Sequence, residues 1–70
     1  MKIDGEAFRQ ARMKKLLSPL NLASEAGVSP NIVKNIEKGK TPRLDLIRKV
    51  IFALDMTIEE ALEKKMISHS

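Results

Sequence analysis

Apolar residues recur at helical spacing in five segments of the chain, which short polar connections separate. In the first segment Ala7, Phe8 and Ala11 share one helical face, Asp4 precedes it as an N-cap, and Lys15 marks its end. No segment alternates apolar and polar residues with the period of two that indicates a strand. The pattern therefore predicts an all-α chain of five helices.

The second and third predicted helices begin with the same signal. Ser18-Pro19 and Ser29-Pro30 each place a serine at the N-cap and a proline at the first helical position, where no N–H is needed. Gly27 and Gly39 end these two helices, because glycine adopts the left-handed backbone of a C-terminal cap without strain. The inward apolar residues of the pair are Leu22, Ala23, Ala26, Val33 and Ile36.

The fourth helix is predicted over about residues 44–54, and the fifth follows the cap Thr57. The fourth contributes most of the predicted core, through Leu44, Ile47, Val50, Ile51 and Leu54. A chain of 70 residues has room for one hydrophobic core, so we expect a single compact domain. We place the core of this domain, its folded part, at about residues 6–62 and expect residues 67–70 to fray.

The composition excludes several classes of function. The chain has no cysteine, and its one histidine, His69, is the next-to-last residue, so no metal site is expected. No nucleophile with its base, phosphate loop or metal cluster indicates an enzyme, and no cofactor or small-molecule ligand is evident. No apolar run approaches the roughly 20 residues of a membrane span, and the first residues lack an apolar signal core. We therefore expect a cytoplasmic protein.

The charge of the chain is unevenly distributed. Residues 1–53 carry 11 lysines and arginines against 5 acidic residues, whereas residues 54–70 carry 2 against 4. A small domain that is basic over most of its length favours an anionic partner, with nucleic acid the leading candidate. On charge alone, a solvated basic surface remains the alternative.

The second and third helices carry a set of residues at fixed offsets. Two helices that cross steeply through a tight turn need a small residue at the crossing, which Ala23 supplies, and a glycine in the turn, which is Gly27. Apolar residues must also hold the pair to the body, and Val28, Val33 and Ile36 meet that need. The spacing therefore predicts a helix-turn-helix.

Over about residues 6–62 the chain resembles the helix-turn-helix domain of the Cro/C1-type (XRE) transcriptional regulators of bacteria and phages. The residues that carry the resemblance are Leu17-Ser18, Leu22-Ala23, Ala26-Gly27-Val28-Ser29, Val33, Ile36-Glu37-Lys38-Gly39-Lys40, Pro42 and Leu54. The resemblance implies a lambda-repressor-like domain of five helices, usually a dimer. Its third helix, at about residues 30–38, enters the major groove of double-stranded DNA while the second spans the backbone.

The resemblance thus implies a sequence-specific DNA-binding regulator, most simply a repressor that acts as a homodimer. The alternative is a protein-interaction module of the same fold, an antitoxin or co-regulator that acts through a partner protein. The sequence also departs from the family at three positions. Pro19 stands where the family commonly has a phosphate-binding glutamine, Pro30 where a glutamine or arginine often reads a base, and Leu16 where glycine often ends the first helix.

The candidate base-reading residues are Asn31, Lys34 and Asn35. An asparagine amide offers the donor and acceptor that match N7 and N6 of adenine, and Asn31 lies in the first turn of the third helix. The alternative is an exposed asparagine without a partner. Ile32 is expected to pack on Leu20, the alternative being contact with a thymine methyl group.

Cations and hydroxyls around the third helix are candidates for contacts that position the protein on the DNA backbone, or else they belong to a solvated loop. These residues are Ser18, Ser29, Lys38, Lys40, Thr41 and Arg43. We also expect Ser18 and Ser29 to cap their helices. In the family, an arginine and a glutamate at the positions of Arg12 and Glu37 form a structural ion pair between the first helix and the end of the third.

Some apolar residues exceed what one small core needs. We take Ile58, Phe52 and Leu46 as candidates for a dimer interface, since the family often dimerises between its fourth and fifth helices.

Overall fold

The computed structural model describes residues 1–68 of the chain. Its elements are β1 (Lys2–Ile3), α1 (Gly5–Lys14), α2 (Pro19–Ala26), α3 (Pro30–Glu37), α4 (Leu44–Ala53), α5 (Ile58–Glu63) and β2 (Ile67–Ser68). The five-helix prediction is confirmed, and the first four helices lie within one or two residues of their predicted limits. Asp4, Ser18 and Thr57 accept hydrogen bonds from the first turns of α1, α2 and α5, as N-caps do.

The two short strands are the part of the fold that the apolar pattern did not predict. They pair antiparallel, with Lys2 opposite Ser68 and Ile3 opposite Ile67. The N–H of Asp4 extends the pairing by donating to the carbonyl of Met66 at 2.8 Å. The expectation that the chain frays from residue 67 is therefore wrong for residues 67 and 68, which are held in this pairing. The sequence pattern missed them because a strand of two residues is too short to show a period of two. Residues 69 and 70, with His69, lie outside the described part of the chain.

The core joins all five helices to the two strands. Its largest fully buried side chains are Phe8, Leu22, Val33, Ile36, Ile47, Val50 and Ile51, and Ile3 and Ile67 close it at the chain ends. Leu44 is the exception to the predicted stripe of α4, because its side chain is 47% exposed. It is the first residue of α4 and lies at the rim of the core, so its assignment to the core was wrong.

The five helices of the described chain end in the same way. After α1, the N–H of Leu16 donates to the carbonyl of Met13 at 2.9 Å, and the N–H of Leu17 donates to the carbonyl of Arg12 at 3.3 Å. This pair of bonds is the Schellman motif, which needs a left-handed residue just beyond the helix. The left-handed residues are Leu16, Gly27, Gly39, Asp55 and Lys65, in the order of the helices.

Three of these five ends therefore place a side chain where glycine is favoured. Asp55 has a compensating contact, since its carboxylate accepts a hydrogen bond from the ammonium of Lys15. Leu16 has none: its backbone has φ 58°, and its side chain is 93% exposed. Leu16 thus carries the strain of a left-handed β-carbon without burying apolar surface.

We predict that Leu16→Gly raises the free energy of unfolding by about 0.5–1 kcal/mol, since the relief of left-handed strain exceeds the entropy that glycine loses on folding. Urea unfolding followed by circular dichroism measures the change. Leu16→Ala is the matched control: it keeps the β-carbon and should change stability by less than about 0.5 kcal/mol. Equal stabilisation by both variants would show that the exposed leucine side chain, and not the strain, was the cause.

An ion pair of two hydrogen bonds joins α1 to the last residue of α3. The Nε of Arg12 donates to Oε2 of Glu37 at 2.7 Å, and its Nη2 donates to Oε1 at 3.1 Å. The remaining Nη1 of Arg12 donates to the carbonyl of Leu17 at 2.8 Å. Only 12% and 13% of the two charged side chains is exposed. Arg12 therefore connects α1, the turn that follows it and the end of α3.

We predict that Glu37→Ala lowers the free energy of unfolding by about 2–3 kcal/mol, because it leaves the largely buried guanidinium of Arg12 without its counter-charge. Arg9→Ala is the control, since it removes the exposed pair between Arg9 and Glu6 and should cost less than about 1 kcal/mol. Thermal unfolding of both variants tests the difference. An unchanged midpoint for Glu37→Ala contradicts the prediction.

Candidate nucleic-acid interface

The outward face of α3 carries the three residues predicted to read bases. The helix buries Val33 and Ile36 against the core, and the spacing of 3.6 residues per turn directs Asn31 and Lys34 outward. Both are exposed, whereas Asn35 is half-buried. Within residues 1–68, the side chains of all three candidates lack a hydrogen bond or ion pair. Their amides and ammonium group are therefore available to a partner.

The turn between α2 and α3 has the geometry that the spacing predicted. Ala23 is 1% exposed at the contact of the two helices, and Gly27 has φ 73°. The N–H of Val28 donates to the carbonyl of Ala23 at 3.0 Å, which closes the turn. The two helices pack against each other and against the body of the domain, so α3 is held with its polar face outward.

The two serines before α2 and α3 differ in their hydrogen bonds. The hydroxyl of Ser18 accepts from the N–H of Asn21 at 3.0 Å and donates to its side-chain oxygen at 2.7 Å. Ser29 has the extended backbone of an N-cap, with φ −75° and ψ 152°, but its side chain makes no capping hydrogen bond. The expectation that Ser29 caps α3 through its hydroxyl is wrong. Among the described residues, that hydroxyl has no partner, whereas the proton of Ser18 is used inside the chain.

The turn after α3 exposes the other candidate backbone contacts. Lys38, Lys40 and Thr41 are exposed, and their side chains have no partner within residues 1–68. Arg43 is also exposed, but its Nε lies 3.3 Å from a carboxylate oxygen of Asp45. The guanidinium of Arg43 is thus partly compensated in the free protein.

The charge on this side of the molecule is positive. The two carboxylates nearest in sequence, Glu37 and Asp45, are both ion-paired with arginines. Lys34, Lys38 and Lys40 remain without a counter-charge in the described chain. Three unpaired ammonium groups along one helix and its following turn form a surface that attracts a polyanion.

Apolar residues occupy the start of α2. Leu20 is 65% exposed, and Pro19 offers no donor in its side chain or backbone. Ile32 is half-buried and packs against the core, which agrees with a packing role. Because Leu20 is 65% exposed, the rest of the described chain covers only about a third of it.

A second exposed surface lies on α4. Leu44, Arg48 and Phe52 follow each other at intervals of four residues, and Phe52 is 81% exposed. This stripe borders a groove of about 280 Å³ that is lined by Met1, Leu44, Arg48, Ile58, Leu62, Ile67 and Ser68. Of the three candidate dimer residues, Ile58 lines the groove and Phe52 belongs to the stripe, but Leu46 is half-buried and lies outside both. The interval of four that links Leu44 to Phe52 is the sequence signal for the stripe, although the apolar spacing of α4 predicts Leu44 in the core and only Phe52 at the surface.

The described residues offer no metal site, since no three of their aspartate and glutamate side chains are placed to hold an ion. Nor is any of the helices described here long and apolar enough to cross a membrane.

Comparison with known families gives a match that covers most of the chain. The sequence profile of a family described as helix-turn-helix matches residues 8–61. Comparison with curated proteins gives no match. The matched segment includes α2, its glycine turn, α3 and the ion pair that holds the end of α3. The chain therefore belongs to the Cro/C1-type (XRE) helix-turn-helix family of DNA-binding domains.

Proposed function

We propose that the protein is a sequence-specific regulator that binds double-stranded DNA with α3 in the major groove and acts as a repressor. The observation that carries the proposal is the outward face of α3, where Asn31 and Lys34 are exposed and have no partner within residues 1–68. The major groove is about 12 Å wide and admits an α-helix. A rigidly held helix with free polar groups on its outer face fits that groove.

Each of the three candidate residues of α3 contacts a different part of the DNA, according to its position along the helix. Asn31 lies in the first turn, and its amide supplies the donor and acceptor that adenine requires. Lys34 follows one turn later and reaches guanine or a phosphate. Asn35 is half-buried and contributes at the side of the helix.

Contacts to the DNA backbone come mainly from the residues that flank α3. The hydroxyl of Ser29 and the side chains of Lys38, Lys40 and Thr41 need not break an internal bond to reach a phosphate. Arg43 must leave Asp45 first, which costs little because an exposed ion pair contributes less than about 1 kcal/mol. Ser18 keeps its capping role and has no spare proton to donate.

We further propose that the protein binds DNA as a homodimer. Phe52 is exposed one helical turn beyond Arg48, which lines the apolar groove, and this placement allows an isologous contact in which Phe52 of each protomer packs at the groove of the other. Burial of an aromatic side chain removes about 150–250 Å² from water. A two-fold dimer places two copies of α3 on half-sites roughly 34 Å apart and covers the DNA between them. Such coverage of a promoter is the simplest mode of repression.

Selection of binding sites from a random duplex pool tests the DNA-reading role of α3. We predict an enriched inverted repeat for the wild type, and a preference that relaxes at one position in Asn31→Ala, by about 1–3 kcal/mol. Gln10→Ala is the matched control, because it removes an exposed amide from α1 and should leave the preference unchanged.

The outcome that contradicts the proposal is no enrichment, with only weak binding that depends steeply on salt. That result would show that the protein binds DNA through charge alone and recognises no sequence. It would favour the alternative of an interaction module, in which the partner is a protein and not DNA.

Sedimentation velocity tests the dimer. We predict that Phe52→Ser raises the dimer dissociation constant by about tenfold or more, since truncation of a central aromatic residue is among the costliest changes at an interface. Met13→Ser is the control, because Met13 is an exposed apolar residue on α1, away from the α4 stripe. A wild type that sediments as a monomer both free and bound to DNA contradicts the dimer.

A further inference from the structure

The backbone at the start of α1 touches the backbone at the end of α3. Gly5 is buried, and a β-carbon at its position would lie 2.6 Å from the carbonyl carbon of Glu37 and 2.9 Å from the nitrogen of Gly39, and nearer still to the carbonyl oxygen of Glu37. All of these atoms belong to the backbone and cannot rotate away. The contact also brings the positive end of α1 against the negative end of α3.

The conformation of Gly5 does not itself require glycine. Its φ is not positive, in contrast with Gly27 and Gly39. Gly5 is the first residue of α1, and glycine loses more conformational freedom on folding than any other residue, so a separate demand accounts for it. That demand is the close approach to Glu37, which admits no β-carbon.

The terminal strands hold Gly5 in this place. β1 ends two residues before it, Ile3 pairs with Ile67, and the N–H of Asp4 donates to the carbonyl of Met66. The end of α3 is therefore held twice at Glu37: its backbone rests against Gly5, and its carboxylate binds Arg12. Both contacts fix the point at which the chain turns into Lys38 and Lys40.

We propose that Gly5 is a positioning residue for DNA binding, because it sets how closely the last turn of α3 seats on α1 and so where Lys38 and Lys40 meet the DNA backbone. The inference rests on the proposed function. Gly5 itself touches no DNA in this arrangement. A β-carbon at residue 5 pushes the end of α3 outward and moves the two ammonium groups away from their phosphates.

The test is the salt dependence of DNA binding by Gly5→Ala, with the duplex that the wild type selects. The affinity falls as salt rises, and we expect this slope of log affinity against log salt to become less steep by about 0.9 for each phosphate that the variant no longer neutralises. Each lost phosphate contact corresponds to about fivefold weaker binding at about 0.15 M salt. Circular dichroism measures how much of the variant is folded. If the variant is partly unfolded, sucrose is added to the variant and the wild type alike, because it stabilises the folded state.

The matched control is Thr57→Ala, which removes a capping hydrogen bond of 3.1 Å at α5, where the partner of Thr57 is Glu60 and not Glu37. Such a loss typically costs about 1 kcal/mol. A smaller folded fraction lowers the affinity by the same factor at each salt concentration, so this variant should keep the wild-type slope. Equal slopes for Gly5→Ala and the wild type overturn the inference and leave the proposed function standing. A wild type that binds no duplex overturns the proposed function, and the inference with it.

A measurement on the wild type keeps the test independent of how well the variant folds. In nitrogen-15 spectra, addition of the duplex should shift the amide resonance of Gly5 together with those of Lys38 and Lys40. Ala61, which is fully buried in α5, serves as the unmoved reference. A Gly5 resonance that stays in place while Lys38 and Lys40 shift would contradict the inference.

Discussion

The structure depends most on how the last residue of α3 is held by α1. Glu37 meets the guanidinium of Arg12 through its carboxylate and the backbone of Gly5 through its carbonyl. Arg12 also binds the carbonyl of Leu17, so the same side chain orients the entry to α2. A buried ion pair contributes little net stability once desolvation is counted, but it selects one arrangement among several. Here the arrangement it selects is the orientation of α3 relative to the body.

The sequence predicted the elements that depend on local signals. Caps, prolines at first helical positions and apolar spacing located all five helices, and the offsets from Ala23 to Ile36 located the helix-turn-helix. It failed where contacts between distant segments decide the outcome. The strands at the chain ends are too short to show a period, and Leu44 follows the apolar spacing of α4 yet remains half exposed. The contact of Gly5 with Glu37 spans 32 positions, and no local pattern reports it.

The candidate site was predictable in its residue types and not in its hydrogen bonds. Asn31 and Lys34 face outward because the spacing of Val33 and Ile36 determines which face is buried. The spacing of apolar residues does not determine whether a serine hydroxyl donates its proton inside the chain or leaves it available to a partner. Ser18 and Ser29 stand before identical proline starts, but only the first caps its helix, since Asn21 supplies both a donor and an acceptor to it.

The start of α2 has few side-chain donors for a phosphate. Pro19 has no donor, Leu20 is apolar and exposed, and the hydroxyl proton of Ser18 is used by Asn21. Among the described residues, the side-chain amide of Asn21 is the free donor in the first turn of α2, whereas Ser29 and Lys38 to Thr41 supply several at the start of α3 and in the turn after it. A domain anchored on the DNA backbone mainly at the two ends of α3 tolerates little movement of either end. The glycine turn at Gly27 fixes one end of α3, and the seat of Glu37 on α1, made by the Gly5 backbone and the Arg12 ion pair together, fixes the other.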